Sequence, residues 1–178
     1  FLIGLPKLLL AQKEGNNWYF GGNAGITFNA GSPVALTNGQ LNTSEGSATI
    51  SDKKGRLLFY TDGISVWDST HTITPNGTSL KGNYSSTQSA IIVPRPDSAG
   101  FYYIFTVDEL GGANGLCYSE FRMSLNSGKG DVVSARKNIN IIKSSCEKIT
   151  AVKHANGRDY WVLALHFGSD TLFSFLII

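Results

Sequence analysis

Residues able to do acid, base, nucleophilic or metal chemistry are few in this chain, and they are scattered. The three histidines, His71, His154 and His166, fall in different turns and strands. His154 and His166 stand twelve residues apart across a hairpin, so one sheet would hold both, but no third ligand follows at a metal spacing. No metal site is expected. A glycosidase needs two carboxylates held roughly 5 to 10 Å apart, and Asp62, Asp68 and Asp108 are the nearest to qualifying. Asp62, however, precedes Gly63 in a two-residue turn, a position that prefers Asp for backbone reasons. Ser47, Ser89 and Thr150 recur by position, and recurrence favours a structural hydroxyl that bonds the next repeat's backbone over a nucleophile. No catalytic residue is assigned. Gln88, Arg95, Glu147 and His154 remain as polar residues near the ends of strands, where a ligand-binding mouth would be built. No glycine loop precedes a helix to cradle phosphate, so no cofactor is expected. Cys117 and Cys146 permit one disulfide; their places in different repeats are read first as two buried free thiols, with the bridge as the alternative.

These residues are positioned by a repeated element. Residues 47–68 read as three short strands separated by Asp52-Lys53-Lys54-Gly55 and by Asp62-Gly63. The order recurs from Ser89-Ala90-Ile91-Ile92-Val93 through the strands 101–108 and 115–121. It recurs again from Thr150-Ala151-Val152 through 160–166 and 171–178. Each copy has an alanine beside a small hydroxyl residue, then an aromatic-rich strand, then a third strand. Antiparallel meanders at a period of roughly 40 to 60 residues are the signature of a β-propeller. The expected fold is therefore all-β, a propeller-like array of about two and a half to three blades over residues 47–74, 89–142 and 148–178. A β-sandwich is the competitor. Small residues suit innermost strands that converge on a central channel, and residues 131–142 alternate well enough to be an outer fourth strand.

Composition agrees with a globular, turn-rich β protein: 178 residues, 42% hydrophobic, 16% charged, 20 glycines and a formal net charge of +2. No Lys/Arg run supports nucleic-acid binding. Residues 1–11 are apolar and read as a signal-peptide remnant, with a partial propeller domain over 12–178. Twelve apolar residues are too few to span a bilayer, and no transmembrane segment is expected. Two to three blades do not close a ring, so the remaining blades or another chain are expected to cover the open side. Trp18 to Gly21 is the strand expected to pair into the last blade and close it.

The motifs Asn17-Trp18-Tyr19-Phe20-Gly21, Leu41-Asn42-Thr43-Ser44-Glu45-Gly46-Ser47-Ala48-Thr49-Ile50-Ser51-Asp52, Leu58-Phe59-Tyr60-Thr61-Asp62-Gly63 and Ser86-Thr87-Gln88-Ser89-Ala90-Ile91-Ile92-Val93-Pro94 carry a resemblance. In this order, and with Ala151 to Gly157 and Asp159-Tyr160-Trp161 after them, they resemble the N-terminal region of large secreted bacterial proteins. Those proteins carry a gliding-motility-associated C-terminal sorting domain. The resemblance implies a propeller-like module on a protein exported by type IX secretion, secreted or held at the cell surface; it implies no chemistry. The expected function is a non-catalytic binding or adhesion module with a protein or glycan partner. A carbohydrate-active hydrolase and a purely structural spacer are the alternatives.

Overall fold

A computed structural model describes residues 13–178; the expected signal-peptide remnant, residues 1–11, lies outside them. The described chain is all-β, with four small antiparallel sheets and no α-helix. The first sheet holds β1 (Asn17–Phe20), β2 (Ala24–Thr27) and β3 (Val34–Leu36). The second holds β4 (Ala48–Ser51), β5 (Leu57–Thr61) and β6 (Val66–Asp68), extended by an isolated bridge from Trp67 to Ile73. In the third, β7 (Ala90–Pro94), β8 (Phe101–Val107) and β9 (Leu116–Arg122) follow in order. Both β10 (Asp131–Val132) and β11 (Ile139–Ile142) pair with β9. The fourth holds β12 (Ser145–Lys153), β13 (Tyr160–His166) and β14 (Leu172–Ile177).

Local chemistry sets the hairpins. Asp62 Oδ1 accepts the N–H groups of Ile64 and Ser65 at 2.8 and 2.7 Å, and Gly63 takes the positive φ that turns β5 into β6. Asp52 Oδ1 does the same for the N–H groups of Lys54 and Arg56 between β4 and β5. Along each strand apolar residues on one face meet the neighbouring sheet, which gives three inter-sheet cores. Tyr19, Leu41, Tyr60 and Trp67 fill the first, and Phe59, Ile104 and Phe121 the second. Phe105, Leu116, Ile149 and Val162 fill the third. Phe59 stacks on Phe121 with ring centroids 3.9 Å apart, and each such buried ring contributes about 1.5 to 3 kcal/mol.

The first strands of the second, third and fourth sheets stand side by side, β4 against β7 and β7 against β12. All three run the same way. At their starts Gly46 N–H donates to Ser86 O, and Gln88 N–H to Glu147 O. At their far ends Arg158 reaches Asp97 at 3.5 Å, and Phe59, next to Ile50, meets the Tyr102 ring next to Pro94 at 5.4 Å. The repeated alanines differ in burial, Ala48 and Ala151 being half-buried. Ala90 is buried, and a Cβ on Gly46 would stand 2.1 Å from the Ser89 nitrogen.

Two expectations are corrected. Residues 17–36 form a three-stranded sheet of their own, so there are four sheets where the repeat count reached three; β1 pairs with β2 and packs beside β4. Two of the three recurring hydroxyls bond the preceding sheet, not the next: Ser47 Oγ donates to Tyr19 O at 3.0 Å, and Ser89 Oγ to Asp62 O at 2.6 Å, while Thr150 is exposed on β12. A hydroxyl at the start of an inner strand faces the sheet already laid down beside it.

Candidate functional site

The four polar residues at strand ends do not meet in one place. Gln88 and Glu147 come together where β7 and β12 begin, while Arg95 and His154 lie at the opposite ends of the same two strands. Gln88 Oε1 accepts Ile149 N–H at 3.1 Å, next to the bulge that β12 makes between Ser145 and Ile149. Glu147 is a three-way clasp. Its Oε2 accepts Thr87 N–H at 2.8 Å and the Thr87 hydroxyl at 3.0 Å, while Oε1 accepts Leu110 N–H at 3.0 Å. Those backbone donors hold the Glu147 carboxyl below the usual range despite some opposing desolvation.

What the clasp presents is an exposed apolar set. Leu110, in the short 3-10 turn Glu109–Gly111, sits at φ +46 and is 73% exposed. A leucine in the left-handed region is strained, and here Glu147 and the Asp108 cap hold it outward. Phe167, 43% exposed, lies over Gly111, where a Cβ would come within 2.4 Å of its ring. Tyr84, 59% exposed, belongs to the same end of the sheets, its carbonyl accepting the Thr43 hydroxyl and Ser44 N–H. Sequence reasoning missed these three. The available signal was an apolar residue, Leu110, set inside the polar turn Asp108-Glu109-Leu110-Gly111-Gly112.

At the other end, the Arg95 and Arg122 guanidinium groups each lie 4.8 Å from the Phe101 ring centroid. His154 Nδ1 accepts Asn156 N–H at 3.0 Å in the β12–β13 turn. Neighbouring Asp159 is held below the usual carboxylate range by hydrogen bonds from Arg158 and Asn156. His154 and His166 both belong to the fourth sheet but stand at opposite ends of β13. His71 takes a different part: its Nδ1 lies 3.1 Å from the buried Tyr60 hydroxyl and its Nε2 lies 2.7 Å from Asn38. Burial pushes Tyr60 up to about 12 and lowers His71, against the raising effect of Asp68. This network joins the first two sheets.

The carboxylates near the repeats are occupied by backbone. Asp68 Oδ1 accepts the N–H groups of Thr70 and Thr72, and Asp108 accepts those of Glu109 and Asn114. Cys117 and Cys146 are free thiols, the first buried in β9 and the second half-buried in β12, donating to Asn114 O and His166 O. Among the described residues no group of three His, Cys, Asp or Glu side chains could hold a metal ion, and no helix is long and apolar enough to cross a membrane. Comparison with known proteins finds no match to any family model, curated protein or solved structure.

Proposed function

We propose that this chain is part of an extracellular β-propeller that serves as a non-catalytic binding or adhesion module of a larger secreted or cell-surface bacterial protein. The observation that carries the reading is the row β4, β7, β12. Three meanders lie with their first strands side by side and parallel, joined by backbone approaches as close as that of Gly46 to Ser89. Radial stacking of blades produces this arrangement. Binding is assigned to the end where the inner strands begin, because Leu110, Phe167 and Tyr84 are exposed there on rigid supports. Aromatic and aliphatic anchors held at low conformational cost suit a protein or glycan surface.

The test is retention of the labelled chain on immobilised bacterial polysaccharides and on intact cell surfaces, with chromogenic glycosides assayed in parallel. Retention that falls at least about tenfold in Leu110→Asp or Phe167→Ser is expected, without glycoside turnover. Turnover, or retention indifferent to both changes, overturns the assignment.

A further inference from the structure

The face that the third sheet turns toward the fourth changes character along its strands. Register places Phe101, Tyr103 and Phe105 of β8 opposite Arg122, Glu120 and Tyr118 of β9, so all six side chains share that face. Toward the end where the inner strands begin it is closed, because Phe105 and Leu116 pack with Ile149 and Val162 of the fourth sheet. Toward the other end the two sheets part. A cavity of about 310 Å³ opens there, walled by Tyr103, Phe105 and Tyr118 on one side, by Phe175 and Ile177 of β14 on the other, and by Ile141 of β11.

Cations gather beside this cleft. Arg95 and Arg122 each hold a guanidinium group 4.8 Å from the Phe101 ring centroid, so the two lie no farther apart than twice that distance. Arg136 donates from Nη2 to the Tyr118 hydroxyl at 2.6 Å and from Nε to Glu120 Oε1 at 3.0 Å. Glu120 is the only carboxylate paired with these three among the described residues: Arg122 stands 3.7 Å from its Oε2, and Arg95 forms no ion pair. The Tyr103 hydroxyl, which no side-chain hydrogen bond reaches among the described residues, feels the same set. Burial raises its pKa, Arg95 pulls it down, Glu120 and Tyr118 push it up, and Arg136 pulls it down.

We propose that the cleft is a binding site for a small aromatic carboxylic acid, its ring in the cavity and its carboxylate on Arg95 and Arg122. Volume and lining fit a ligand pocket, which is mostly apolar with a few placed polar groups. Tyr103 and Tyr118 meet edge to face at 5.8 Å and, with Phe175, give a flat ring aromatic walls. Guanidinium groups already stacked on Phe101 lose little freedom on meeting an anion, and their N–H edges suit a carboxylate. Three positive charges against one negative select an acid over its neutral analogue. A sugar would leave hydroxyls unpaired against Ile141, Phe175 and Ile177. The site stands at the end of the sheets opposite Leu110 and goes beyond the adhesive surface assigned there.

The probes are 2-naphthoate and its neutral amide, 2-naphthamide, titrated into the intact chain by calorimetry and NMR. Naphthoate should bind saturably, at least about tenfold tighter than naphthamide, with ring NOEs to the Ile141 and Ile177 methyl groups. In the double variant Arg95→Gln, Arg122→Gln that preference should shrink to about twofold or less, while Lys54→Gln, which removes a charge elsewhere, keeps it. Equal affinity for the two probes, no saturable binding of naphthoate, or NOEs outside the cleft overturns the proposal with no variant needed. Retention on polygalacturonate that the double variant abolishes, with naphthoate unbound, would give the arginines to an acidic glycan and overturn it as well. Leu110→Asp should leave naphthoate affinity unchanged, so this site and the adhesive surface fail separately.

Discussion

A single carboxylate joins three parts of the molecule at the residue scale. Glu147 bonds Thr87, 60 residues away in sequence, and Leu110, 37 away, so it ties β12 both to the approach of β7 and to the Leu110 turn. Its folded-state pKa lies below the ordinary glutamate value of about 4.3. Stability contributed by a depressed carboxylate is present above the unfolded pKa and is lost as pH falls through the folded one. Glu147→Gln should therefore lower stability by about 1 kcal/mol near neutral pH, a figure kept small because the group is solvent-screened. The gap between variant and parent should close below about pH 4, as thermal unfolding across pH will show. A gap unchanged down to pH 3 would mean that packing, not charge, holds the turn. The polar character of Gln88 and Glu147 at a strand start was legible in the sequence. Their use as fasteners was not, because both of Glu147's partners are distant in the chain.

Strand-level patterns were the most legible, since they depend on neighbours in sequence. The Asp62-Gly63 turn, the aromatic second strands and the small first strands each follow from local propensity and φ requirements. The pairing of β1 was not legible, because an aromatic run such as Trp18-Tyr19-Phe20 looks the same whichever strand lies across its edge. The close approach of sheets is also an element-level property with a sharp consequence. A Cβ on Gly46 would fall 2.1 Å from Ser89 N and 2.8 Å from the Gln88 carbonyl carbon, both backbone atoms that no rotamer change can move aside. Gly46→Ala should force β4 and β7 apart and cost roughly 3 kcal/mol or more. Ala90→Leu overpacks the same seam from the side-chain side and should cost roughly 1 to 3 kcal/mol. Chemical denaturation of both variants checks the order: a neutral Gly46→Ala would show that the two strands are not in contact.

For the whole molecule, the three inter-sheet cores leave two outward faces, and the one on the fourth sheet is apolar. Alternation along β13 sends Val162 and Ala164 inward, so Trp161, Leu163 and Leu165 face outward. Across the ladders Val152 and Leu176 flank Trp161, and Leu172 lies opposite Leu165. Leu172 is 58% exposed, and Val152, Leu165 and Leu176 are exposed beside it. On a sheet with one solvated face these positions would be polar, as they are where Lys148 and Thr150 precede them on β12. A contiguous apolar face of this kind drives association when nothing covers it. The chain alone should therefore associate with rising concentration, and Leu165→Lys with Leu176→Lys should restore a monomer by light scattering while leaving the melting temperature within a few degrees. Association that survives both charges would place the self-association on the edge of β14 that is unpaired among the described residues, where main-chain pairing is indifferent to what the outward side chains carry.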